Sequence, residues 1–216
     1  MPKVKIPRKS TTIDMTAMCD VAFLLLSFFI LATKQKPPEV LTVQTPSSVS
    51  SKAVPDKSII ITLTKDGRAF LMLGDDTKKA EILANINSTR SLNLSAAELA
   101  KLGKQEFIGF PLNQIKGSLA LATAIPAEKL PGIPIDTANN EMVDWMRSVS
   151  NAYAGGDQTK LEQMILIKGD NDAFYPAFKN IKDAFKKADL YKFRIVTNGE
   201  TPPVGSELYN SMLIKK

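Results

Sequence analysis

Thr16, Asp20 and Ser27 place a carboxyl group and two hydroxyls in the stretch Ile13 to Thr33, which reads IDMTAMCDVAFLLLSFFILAT. From Val21 to Ala32 that stretch is apolar except for Ser27, and it contains no proline or glycine. At about 100° per residue, Thr16, Asp20, Phe23 and Ser27 fall on one face of a helix, a narrow polar stripe with a broad greasy back. An ionisable group inside a membrane segment is rare unless it faces protein or water, and it is a group that can bind and release a cation. Plainer readings stand beside this one. Asp20, nearer the N-terminal end than the centre, can snorkel to water as an interfacial acid. The hydroxyls of Thr16 and Ser27 can bond their own helix backbone. Asp14 points away from the stripe, at the membrane surface.

The element that must carry these groups is a transmembrane helix. About 20 residues at 1.5 Å each cover the ~30 Å hydrocarbon layer, and a single apolar segment must cross as a helix because lipid offers its backbone no hydrogen-bond partner. An Asp at mid-helix costs roughly 2.5–3.5 kcal/mol, and each large apolar residue returns roughly 0.3–0.6 kcal/mol. The large apolar residues from Val21 to Leu31 therefore offset the acid by a narrow margin.

Composition narrows the chemistry further. The chain of 216 residues is long enough for one anchor and one medium domain. Its net charge of +6 is spread along the sequence rather than gathered into a basic recognition segment, so nucleic acid is not an expected partner. It has no histidine. That removes Ser-His-Asp and Cys-His catalysis and most zinc sites, and leaves a carboxylate as the natural proton carrier. Cys19, the only cysteine, excludes an intrachain disulfide and reads as a small hydrophobe. With no Gly-x-Ser-x-Gly motif either, an enzyme is disfavoured, and neither a cofactor nor a metal is expected.

The expected fold class is α+β: one N-terminal transmembrane helix, a flexible linker, and a small domain of mixed sheet with helices packed on it. Residues 1–14 carry Lys3, Lys5, Arg8 and Lys9, a basic flank that stays in the cytoplasm. A cleaved signal peptide fits poorly, because an acid interrupts the front of the apolar run and Ile30-Leu31-Ala32 offers no cleavage site. Cys19 precedes the apolar run and is not placed as a lipoprotein cysteine. The membrane helix is expected over 15–33. Residues 34–57, rich in Pro, Ser and Thr, read as a mostly extended linker outside the membrane, in which Val40–Val43 can pair as an edge strand.

The domain is expected over 58–197. SIIITLT and AFLMLG flank Lys65-Asp66-Gly67-Arg68 as a hairpin. Lys78 to Ile86 suits a short helix, and Ser95-Ala96-Ala97-Glu98 is a capping box opening another through about Lys104. Residues 107–138 are punctuated by Gly and Pro, and the apolar region from Gly109 to Ala124 is too short and interrupted for a second crossing. Asn139 to Ala154 reads as an amphipathic helix whose stripe, Met142, Trp145, Met146, Val149 and Tyr153, belongs to the core. MILIKG is a strand and Asp170-Asn171-Asp172 a turn rather than a metal site. Pro176 opens a helix with Phe178, Ile181, Phe185 and Leu190 inward. FRIVT completes a βαβ crossover. Residues 198–216 read as a loose basic tail.

This layout resembles the ExbD/TolR family of biopolymer-transport proteins. Ile13-Asp14-Met15-Thr16-Ala17-Met18-Cys19-Asp20-Val21 matches most of that family's membrane motif, and ILIKGDNDAFYPAFKNIKDAFKKADLYKFRIVT resembles its C-terminal strand, acidic turn, helix and strand. The resemblance places the family's ion-carrying Asp on Asp20 and its preceding polar position on Asp14. Ala17 stands where the family has proline, and about 75–163 reads as an insertion. The resemblance implies a proton-driven stator in the bacterial inner membrane, its C-terminal domain periplasmic. It further implies a homodimer of membrane helices, an ExbB/TolQ-like multi-span partner and a TonB/TolA-like transducer. The rival class is a single-span envelope anchor, without ion transport, whose outer domain binds peptidoglycan or a partner protein.

Overall fold

The computed structural model of the chain describes residues 15–32, 41–49, 52–55, 57–121, 129–156 and 158–214, with no side-chain description at 120, 121, 158 and 212–214. The chain divides into two compact units, Met1–Glu39 and Val40–Lys216. In the first, α1 (Met15–Ala32) is a helix of 18 residues with none of its side chains buried. It is the one helix among the described residues long and apolar enough to cross a bilayer.

The second unit is a mixed sheet with helices packed on it. Strands β2 (Ile59–Leu63) and β3 (Ala69–Leu73) form the expected antiparallel hairpin. Its turn uses Gly67 at φ +78°, where only glycine sits without strain. β4 (Ile165–Gly169) pairs parallel to β2, and β5 (Arg194–Ile195) parallel to β4, giving the order β3-β2-β4-β5. Period-2 alternation puts Ile59, Ile61, Leu71, Leu73, Ile165 and Ile167 on one face. That face joins a buried cluster with Ile82 and Ile86 of α2 (Asp76–Thr89), Trp145 and Val149 of α5 (Met142–Ala152), and Ile181 and Phe185 of α7 (Tyr175–Lys187). The fold is therefore α+β, as the sequence predicts.

The middle of the chain is woven into this core rather than appended to it. α2 packs against α5 and against α3 (Ala96–Gly103), and α5 packs against α7. α3 opens on the predicted capping box, Ser95 and Glu98 each satisfying the other's backbone N–H. The described residues of 107–138 meet the sheet through single bridges. Leu71 exchanges hydrogen bonds with Ile108, and the Ile133 N–H reaches the Ala69 carbonyl at 2.7 Å, so these residues cover the outer edge of β3. Between the two lie a 3-10 turn (Leu112–Gln114) and α4 (Ile115–Leu121). α6 (Gln158–Met164), which periodicity did not mark, leads directly into β4.

α2 starts earlier than the expected Lys78 because Asp75 caps it, its Oδ1 accepting the Thr77 N–H at 3.1 Å. The Thr77 hydroxyl bond is the main reason the Asp75 carboxyl sits below the usual carboxylate range. The same group accepts from the Tyr153 hydroxyl, which burial and this neighbouring charge push up to about 12. Asp75→Ala should cost about 1 kcal/mol of domain stability at neutral pH. A carboxyl lowered in the folded state stabilises above its unfolded value, and that contribution goes as pH falls through the folded value. The gap between wild type and Asp75→Ala in chemical unfolding should therefore narrow from pH 7 to pH 3.

Two expectations change. The stretch 34–57, expected as a spacer, is in part an element of the domain. β1 (Ser47–Ser48) forms a strand, whereas residues 41–43, the described part of the expected Val40–Val43 edge, do not, and β1 pairs parallel with β6 (Asn198–Gly199). Asn198 N–H donates to Pro46 O and Glu200 N–H to Ser48 O, both at 2.9 Å. Asp170 holds the strap's other end: its Oδ2 accepts the Gln44 N–H at 3.3 Å while its Oδ1 accepts the Asp172 N–H at 3.0 Å. The tail is not loose either. Gly205 turns the chain at φ +89°, Ser206 Oγ accepts the Tyr209 N–H, and α8 (Glu207–Ile214) follows. Asp170→Ala should speed amide exchange at Gln44 by roughly tenfold, the worth of one hydrogen bond to a charged acceptor, with little change in global unfolding.

Candidate functional site

The candidate site is the polar stripe of α1. A run from Met15 to Ala32 without proline or glycine, mostly of helix formers and large apolar residues, makes the helix, and its 3.6-residue period sets Thr16, Asp20, Phe23 and Ser27 in one row. Asp20 and Phe23 are exposed on the free helix, as is Cys19 beside Asp20. Ser27 is half-buried and its hydroxyl donates to the Leu24 carbonyl at 2.9 Å. Its proton is therefore spent on its own helix, the plainer of the two readings for that residue, while its oxygen can still accept. The structure gathers Thr16, Asp20 and Ser27 on α1. Asp14, Lys3, Lys5, Arg8 and Lys9 lie outside the described residues. Phe28 and Phe29 meet edge to face, 6.0 Å between centroids, away from the carboxyl row.

In such a row Asp20 is the only group able to change charge. Its neutral form is tolerated by an apolar surround, and its ionised form needs water or a polar partner.

The sequence matches the model of a family described as biopolymer transport protein ExbD/TolR, over residues 7–200. The chain belongs to the ExbD/TolR family. The match takes in α1 with Asp20, the sheet and the middle helices, and stops short of α8. No curated protein and no solved structure matches the chain. An ExbD/TolR protein acts in biopolymer transport, which is a role for this chain too; the family is an inner-membrane one and is not enzymatic. Its members generally work with ExbB/TolQ and TonB/TolA partners.

Two features of the ExbD/TolR domain escaped the sequence reading. Asp170, read only as a turn former, also anchors the strap. Lys79 is buried on the core side of α2 and donates to the Gln105 carbonyl at 2.7 Å. Burial pulls its ammonium below the usual lysine range, against the nearby charges of Asp76 and Glu106. The signal was available: Lys79, Ile82, Leu83 and Ile86 stand at i, i+3, i+4 and i+7, so the apolar face of this helix carries a cation.

Proposed function

We propose that this chain is the single-span, ion-carrying subunit of a motor driven by the proton motive force, with Asp20 as the proton-binding carboxylate. One observation carries the reading: an acid set into the otherwise apolar α1 of an ExbD/TolR chain. The motor energises outer-membrane transport or envelope maintenance through a TonB/TolA-like transducer. Residues 1–14, with Lys3, Lys5, Arg8 and Lys9, lie in the cytoplasm and Asp14 at the membrane surface. Residues 15–33 cross the inner membrane, and the domain beyond them is periplasmic.

The energetics support a shuttle. One charge moved across 100 mV is worth about 2.3 kcal/mol, close to the roughly 2.5–3.5 kcal/mol cost of an ionised Asp at mid-membrane. Protonated, Asp20 can turn towards an apolar wall; ionised, it must face water or a hydroxyl. Thr16 and Ser27 line the same row and soften the passage. A single polar stripe cannot enclose a path for ions, so α1 needs company: a second copy of itself and an ExbB/TolQ-like multi-span protein offering Thr or Ser to Asp20.

Extraction of native membranes in mild detergent, followed by mass determination of the complex, tests this. The expected result is an assembly containing a multi-span protein and more than one copy of this chain. Recovery of the chain alone, with its domain bound to peptidoglycan, would overturn the motor in favour of an anchor.

A further inference from the structure

A groove of about 890 Å³ runs between α2 and α3 at the open end of β3. Its walls are Met72, Ala80, Leu83, Leu99, Ala100 and Gly103, and they are mainly apolar. Small-molecule sites fall in about this range, roughly 300–1,000 Å³, with apolar walls and a few convergent polar groups. Here a buried cation, Lys79, only 7 % exposed, is among the lining residues. An ammonium carries three donors, and the described residues supply Lys79 with one acceptor, the Gln105 carbonyl. Asp76 and Glu106 also line the groove and act on Lys79 through space, but neither forms an ion pair with it among the described residues. Lys104 offsets one of those two charges.

A desolvated cation with donors to spare, at the side of an apolar slot, fits one kind of occupant. We propose that this groove binds a single-chain carboxylate amphiphile, a long-chain fatty acid, with its tail between α2 and α3 and its carboxylate on Lys79 Nζ. A wholly apolar ligand would leave the ammonium as it is. The site is independent of the ion-carrying role of α1.

The test uses the full chain in lipid nanodiscs and a photoactivatable diazirine derivative of palmitic acid, with cross-links mapped by peptide mass spectrometry. Label is expected on α2 and α3. Ala100→Trp, at an exposed position on the wall, should abolish it without unfolding the domain. Lys79→Met keeps the stem and removes the charge; it should lower labelling by about tenfold, the loss of one charge-assisted hydrogen bond. The methyl ester of the probe should label wild type and Lys79→Met equally. Groove labelling that survives Ala100→Trp, or label confined to α1, would overturn the proposal. So would equal labelling of wild type and Lys79→Met by the free acid.

Discussion

Asp20→Asn is expected to reduce transport driven by the membrane potential to the level seen when that potential is collapsed. Asn keeps the shape and most of the polarity of Asp but has no proton to trade. It also inserts more easily than an ionised acid, so the variant should reach the membrane at normal level. The measurement is energy-dependent uptake together with the amount of protein in the membrane fraction. Normal uptake in the Asn variant would reject the proton role outright. Asp14→Asn is the control and should be milder, because that acid lies off the stripe. Ser27→Ala should also be mild, since the hydroxyl proton is already held by the Leu24 carbonyl.

Trp145→Ala is expected to destabilise the domain by about 3–5 kcal/mol, the usual cost of emptying the space of a buried aromatic. Against a total of roughly 5–15 kcal/mol for a domain, that removes a large part of the margin. Trp145 is fully buried at the centre of the cluster, yet it comes from the segment that reads as an insertion. Its Nε1 has no hydrogen-bond partner among the described residues. Trp145→Phe should therefore cost clearly less than Trp145→Ala, because it fills most of the space and removes the unpaired donor. Chemical unfolding of the two variants checks the order. If Trp145→Ala unfolds like wild type, the middle segment is not part of the core.

What was legible beforehand is what short-range pattern encodes. The hairpin announced itself through alternation around Lys65-Asp66-Gly67-Arg68. α3 did so through its capping box, and α5 through five residues at helical spacing. β4, α7 and β5 followed from two apolar runs around a proline-started helix. The strap was not legible, because Ser47 and Ser48 carry no alternation and their partners, Asn198 and Gly199, are remote in sequence. The stretches around Ile108 and Ile133 were obscure for a related reason: each meets β3 through a single bridge, too few residues to impose a period. At the candidate site, Asp20 stood out because its environment makes it costly. What Asp20 would face is a different matter, since the spacing of this chain encodes only the groups on its own helix.

The strap also sets the length of the leash. At about 3.4 Å per extended residue, the stretch from Ala32 to a docked Gln44 can span no more than about 40 Å, whereas the stretch from Ala32 to Ser58 could pay out nearly 90 Å. A handful of hydrogen bonds around β1 and Asp170 thus ties roughly half of the residues between Ala32 and Ser58 to the domain.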